Sequence, residues 1–479
     1  MTSQSVPSSL PIEAVNAYDD NSFINEDNSH QEHEGDSTRR PAFPATDDRG
    51  FNFQPLEVPR RELLVNKLPQ NPLLLFQHFI PISLVNDWVK YTNNWVSSLL
   101  QSGVIDSQEH EITEQSRLHA WKPTTAAEVY VWLGILIYMG VHSEITVEDH
   151  WKTSQLEDQR AEHSIIKFMT YNRFQLLYRH IRRFDHTKFT DDYDDFPIVF
   201  QCVESWSQHV QLATTELCEP GSHLAVDEAM IRYTGRNKQV TYIPNKPIDT
   251  GFKVWIAAQL GLFMRWIWHQ PGAKYGPVGI QKKPASQKKK SKGKGKADKA
   301  DEVKEVIYVA TEAGAKIIAL NSTQSVVIAL INLLPISIYH VFVDNLFSSP
   351  DLFRSLRQHG HGATGTARPN CGIYKGLVEA KKADKAGKSG FQFNEIKVIP
   401  TADNQVNQIA WKDNALVLFL STVFTGDEMT ERWRKRPLTK TPMARPIQHF
   451  FGSEPVKLIS IPTIAASYND EMNHVDRGD

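Results

Sequence analysis

The chain has 479 residues, 41% of them hydrophobic and 23% charged, with a formal net charge of −2. That length builds two or three domains with sizeable cores, and the composition is ordinary for a soluble intracellular protein. Three cysteines, Cys202, Cys218 and Cys371, show neither CxxC nor Cys/His spacing, which argues against a disulfide framework and a zinc module and fits free thiols in a reducing compartment.

Residues 1–60 read as a disordered acidic tail, rich in Asn, Asp, Glu, His and Ser. The first residues have no basic n-region and no apolar h-region, so no signal peptide is expected. Residues 61–220 read as an all-α region, with apolar residues at three- and four-residue spacing. In "PTTAAEVYVWLGILIYMG", Glu128 follows Thr125 by three positions, the pattern of a capping box. The apolar run at 129–141 is too short to span a bilayer, so no membrane partner is expected. Arg179, Arg182 and Arg183 cluster near the end of a further amphipathic helix, where cations suit the helix dipole.

The character changes at 222. "HLAVDEAMIRYTG", "FKVWIAAQLGLFMRWIWHQ" and "EVIYVATEAG" read as short strands, followed by helices at about 323–333 and 349–359 that flank the run "ISIYHVFVDNLFSS". This order predicts a mixed α/β sheet over 221–380. Residues 281–299, "QKKPASQKKKSKGKGKADK", interrupt it as a basic low-complexity loop. That run reads equally as a solvated insertion, a nuclear localisation patch or a phosphate tether, and nuclear residence is the expected localisation. "GFQFNEIKVIP", "NQIAWKD" and "ALVLFLST" return to short strands, so 381–470 is expected to be an inserted β-rich subdomain and linker. The basic stretch "ERWRKRPLTK" reads as a mobile linker.

Asp227 and Asp344 share one context, each ending an apolar strand-like run, "HLAVDE" and "YHVFVDN". Carboxylates at the ends of neighbouring strands repel each other unless a cation lies between them, and hard oxygen ligands suit Mg²⁺ or Mn²⁺. An Asp after a strand is also a common turn or cap residue, so the pattern alone leaves both readings open. Asp476 is a third candidate, placed where a Pro-bounded loop gives way to the start of a helix at 471–479.

Several blocks together resemble PiggyBac-type DDE transposases. "AVDEAMIRYTGRNKQVTYIPNKPIDTGFKVW" is similar to the family's first catalytic block and "VFVDNLFSSPDLFRSLRQHGHGATGTARPN" to the second. "LSTVFTGDE" and "YNDEMNHVDRGD" are similar to the approach to the third acid, and "WLGILIYMG" with "MTYNRFQLLYRHIRRFD" resembles the helical N-terminal part. The resemblance covers residues 120 to 479 in the correct order. It implies an α/β, RNase H-like mixed-sheet core. It also implies a catalytic, metal-binding triad of Asp227, Asp344 and Asp476, with Asp479 as an accessory metal ligand. Two Mg²⁺ ions would serve DNA nicking and strand transfer. DNA is the implied partner and a homodimer the implied assembly, with no small-molecule substrate. Arg236, Lys238, Lys246, Lys253, Arg368 and Asn370 are the expected DNA contacts.

Three departures stand out. Asn473 and His474 replace the glycines usual before the third "VD", the Lys-rich run is inserted, and three residues follow Asp476. The family's C-terminal helices and cysteine-rich zinc domain have no counterpart in this sequence, so no zinc is expected. The chain as given reads as a C-terminally truncated copy that does not carry out strand transfer. The alternative is a domesticated, non-catalytic DNA-binding or scaffolding protein that keeps the fold. An unrelated metal-dependent nuclease is disfavoured, because the flanking blocks match one family in order.

Overall fold

The computed structural model describes residues 52–104, 111–152, 162–188, 196–244, 246–270, 318, 320–438 and 444–478. The Lys-rich run, most of the acidic tail, the strand expected at "EVIYVATEAG" and Asp479 lie outside these residues. The chain divides into two units, one bounded by Met1–Leu64 with Pro220–Asp479 and the other by Val65–Glu219. Among the described residues no helix is long and apolar enough to cross a membrane.

Among its described residues, the Val65–Glu219 unit has helices as its main elements. A two-residue strand β1 (Leu64–Val65) precedes α1 (Pro72–Phe79), α2 (Ile82–Ser102), α3 (Ala126–Val141), α4 (Tyr171–His180) and α5 (Ile198–Leu217), and β2 (Cys218–Glu219) follows. Val85, Trp88, Val129, Trp132, Phe174 and Leu177 form its core. Thr125 caps α3 by accepting the Glu128 N–H at 3.3 Å. The expected box is only half formed, because the Glu128 carboxylate is drawn to Arg173 at 2.6 Å and accepts the Thr124 hydroxyl at 2.7 Å. A charged bidentate partner is a stronger attraction than a single backbone N–H. The Arg182 guanidinium stacks over the Trp95 ring at 4.5 Å and Arg183 over Trp206 at 5.9 Å, so aromatic faces take these two cations.

In the other unit, β3 (His223–Arg232), β4 (Val240–Tyr242), β5 (Thr250–Gln259), β6 (Leu262–Trp268), β7 (His340–Val343), β8 (Gly362–Thr366), β9 (Ile396–Pro400), β10 (Asn407–Lys412) and β11 (Leu416–Ser421) form one sheet, nine-stranded among the described residues. Its order is β4-β5-β3-β7-β8-β11-β10-β9, with β6 paired to β5. β3 runs parallel to β7 and β7 parallel to β8, while β5 lies antiparallel to β3. β9, β10 and β11 continue this sheet through the antiparallel β8–β11 pairing, Phe419 opposite Thr366. The first three strands of the inserted β-rich subdomain expected at 381–470 thus belong to the same sheet as β3, β7 and β8.

Helices α6 (Ser322–Asn332) and α7 (Pro350–Gln358) contact the sheet through β5, β6, β8 and β11, and α8 (Lys375–Lys385) contacts β11. The face bearing Phe342, Ile409 and Phe419 is covered by α10 (Thr463–Glu471), by α9 (Ala444–Phe451) and by the two-stranded ribbon β12 (Met429–Lys435) with β13 (Val456–Pro462). The first part of the expected mobile linker is thus a paired strand, β12, whose inward Arg432 and Arg434 bond Asp470 and Asp413. A short helix α11 (His474–Gly478) then crosses β3, β5 and β6. Asp476 follows a nine-residue helix and a short break, where the sequence reading places a loop followed by the first turn of a helix. Residues 52–60, assigned to the tail by the sequence reading, are described as extended chain bonded to the sheet unit, as with Leu56 N–H to Thr422 O at 2.7 Å.

Candidate active site

Local sequence explains why two acids meet. "LAV" before Asp227 and "HVFV" before Asp344 are fully buried, which fixes both runs as interior strands. The parallel register pairs Val226 with Val343, so the next step sets Asp227 beside Asp344. Both side chains fall on the face shared by Ala225 and Phe342, beneath α10 and α11.

Asp227 Oδ1 accepts the Glu228 N–H at 2.8 Å, and Asp344 Oδ1 accepts the Leu346 N–H at 2.8 Å in a turn that ends the strand. The second oxygen of each accepts no hydrogen bond among the described residues. Burial raises both carboxyls above the ordinary range. Glu228 and Asp344 add repulsion at Asp227, while Glu228 adds it at Asp344, which is pushed up to about 6. Two crowded carboxylates, each with one oxygen free, fit a divalent cation by donor chemistry.

Glu228 points to the opposite face. It lies 3.4 Å from the Lys246 ammonium and 3.7 Å from that of Lys253, which also stands 3.9 Å over the Trp255 ring. Burial lowers the Lys253 ammonium. At Lys246 burial pulls the same way, but the carboxylates of Glu228, Asp227 and Asp476 outweigh it and the net shift is upward. These two expected DNA contacts are thus held by an acid that the sequence reading left without a role, although it stands directly after Asp227 in "DE".

Asp476 is exposed on α11, two residues past the buried His474 and next to Val475, which packs with Ala229, Val254, Ile256 and Ala258. Among the described residues no group of three His, Cys, Asp or Glu side chains is gathered closely enough to hold a metal ion. The structure thus brings Asp227 and Asp344 together and sets Asp476 on the same face without completing a three-acid cluster. Asn473 and His474 take the glycine positions without positive φ, so no left-handed backbone is demanded there. Arg236, Lys238, Arg368 and Asn370 are exposed, and Arg368 donates to Asn345 Oδ1 at 2.6 Å.

PiggyBac transposable element-derived protein 2 of Homo sapiens is 21% identical over 350 residues, covering 70% of this chain and 50% of that protein. This chain thus matches about half the length of that curated relative. The structure of a piggyBac transposase synaptic complex with hairpin DNA, solved by cryo-EM, is similar in fold with a TM-score of 0.55 and 18% identity, over 85% of this chain and 67% of that one. A family model described as Transposase IS4 matches residues 71–479. The chain belongs to that transposase family, and the relatives found by sequence and by structure are of the PiggyBac type expected from the motifs.

Proposed function

We propose that this chain carries a DDE-type, metal-dependent DNA-nicking site of the transposase kind, with Asp227, Asp344 and Asp476 as its acids. The observation that carries the reading is the placement of Asp227 beside Asp344 at neighbouring points of two paired parallel strands. The order β6-β5-β3-β7-β8, with β5 antiparallel and β3, β7 and β8 parallel, supports an RNase H-like core. Asp227 and Asp344 would hold the ion through their free oxygens, and a bound Mg²⁺ would supply Lewis-acid stabilisation of a phosphodiester and activation of water. Lys246, kept charged by Glu228, Asp227 and Asp476, would neutralise a backbone phosphate near the acids, with Arg368 as an exposed contact. Lys253 is buried over Trp255 beside Glu228 and has no path to a phosphate. DNA as the substrate is further supported by the neighbouring fold, whose solved complex contains hairpin DNA. Two carboxyl groups crowded together and raised by burial favour this reading over a non-catalytic scaffold, which would gain nothing from their repulsion. Nuclear residence follows for an enzyme acting on chromosomal DNA.

The test is Mg²⁺-dependent nicking of DNA carrying the element's own ends. Nicking by the wild-type chain that Asp227→Asn abolishes supports the reading. Nicking retained in both Asp227→Asn and Asp344→Asn would refute it.

A further inference from the structure

The segment before the family-matched residues does something specific in this chain. Residues 52–62 cross the amino-end rim of the sheet, opposite the rim where Asp227 and Asp344 sit. Arg61 N–H donates to Ser222 Oγ at 3.0 Å and Ser222 N–H donates back to Arg61 O at 2.9 Å, just before β3. Arg61 Nη2 donates to Ile338 O at 2.9 Å before β7, and Arg357 Nη2 donates to Gln54 O at 2.7 Å. Two glycines make room for the segment. A Cβ at Gly221 would run into the Arg61 carbonyl oxygen, and one at Gly362 would lie 2.8 Å from Val58 Cγ2.

Beside Arg61, Arg60 reaches the corner between α10 and α11. Its Nη2 lies 3.7 Å from Glu471 Oε1, while its Nε bonds Glu62 at 2.8 Å. Glu471 is 7% exposed, and its other oxygen lies 3.5 Å from His474 Nε2, the first residue of α11. The chain of contacts therefore runs strap, last residue of α10, first residue of α11. A carboxylate this buried needs a cationic partner to remain charged.

We propose that residues 52–62 are a strap that positions α11, and with it Asp476, through the Arg60–Glu471 contact. The role of Asp476 rests on the metal-site reading above; the role of the strap does not. Arg60 is a positioning residue here, since it touches neither Asp227 nor Asp344.

The test is hydrogen exchange of the full chain read by mass spectrometry, combined with Mn²⁺ titration, for wild type, Arg60→Ala, Arg60→Lys and Gly221→Ala. In Arg60→Ala, residues 471–478 should exchange on the order of five-fold faster while β7 keeps its protection, as expected for loss of a partly exposed ion pair. Arg60→Lys should restore most of that protection, and Mn²⁺ affinity should fall in Arg60→Ala by a similar factor. Gly221→Ala, which displaces the strap backbone, should give a larger effect, roughly ten-fold. Should Gly221→Ala unfold the whole unit, Arg60→Ala alone decides. Unchanged exchange at 471–478 in Arg60→Ala overturns the proposal. Absence of Mn²⁺ binding in the wild type counts against the metal-site reading, while the exchange result still decides the strap.

Discussion

Two kinds of support hold the acids of this unit. Asp227 stands on an interior strand and Asp344 directly after another, where the register Val226–Val343 sets them side by side and fully buried neighbours fix the register. Asp476 stands on a five-residue helix held by one buried valine, by the approach of Gly478 to Phe263 and by the Arg60–Glu471–His474 contacts. The first arrangement is set by sheet geometry and fails only with the core. The second depends on a few separate contacts and can loosen locally.

The contrast can be broken from the sheet side first. Phe342 is fully buried next to both acid strands, so Phe342→Ala should cost about 4 kcal/mol in chemical denaturation and loosen both acids together. Val475→Ala should cost about 2 kcal/mol or less. Its effect should appear in hydrogen exchange as faster opening of 474–478 with β3 and β7 unchanged.

The two regions should also respond to pH with opposite signs. Asp344 has a folded-state value raised above its ordinary 3.8, to about 6, so between those values the native state holds more protons than the unfolded one. Its contribution favours the fold at low pH and is lost as pH rises through that window. Asp344→Asn should therefore stabilise the metal-free protein at pH 7 by roughly 1–2 kcal/mol, with the gain vanishing below pH of about 4. His474 is lowered by burial from 6.5 to about 4, so the unfolded state binds more protons between those values. Its contribution is present above 6.5 and is lost as pH falls toward 4. His474→Gln should flatten that part of the stability profile by under about 1 kcal/mol, measured by urea titration at several pH values.

The sheet-borne pair was legible because an apolar run ending in Asp is a local pattern, and both copies lie on interior strands. Support for Asp476 was not, since Arg60 and Glu471 are far apart in sequence and no periodicity links them. β12 escaped notice for a different reason. Its inward side chains include Arg432 and Arg434, bonded to Asp470 and Asp413, so the apolar alternation that marks a strand is replaced by alternating charge. β9–β11 were legible as strands, but their continuation of the core sheet depends on the β8–β11 pairing, which length and composition do not encode. Glu228 stood in plain view after Asp227, yet its hold on Lys246 and Lys253 needs the β3–β5 register to become visible.

The most direct measurement of the central claim is calorimetric Mn²⁺ titration of the wild-type chain and of the double variant Asp227→Asn with Asp344→Asn. The wild type should bind, and the double variant should lose that binding while keeping its fold and at least equal stability at neutral pH. Equal Mn²⁺ affinity in both proteins would contradict the assignment of these two carboxylates as the metal-holding pair.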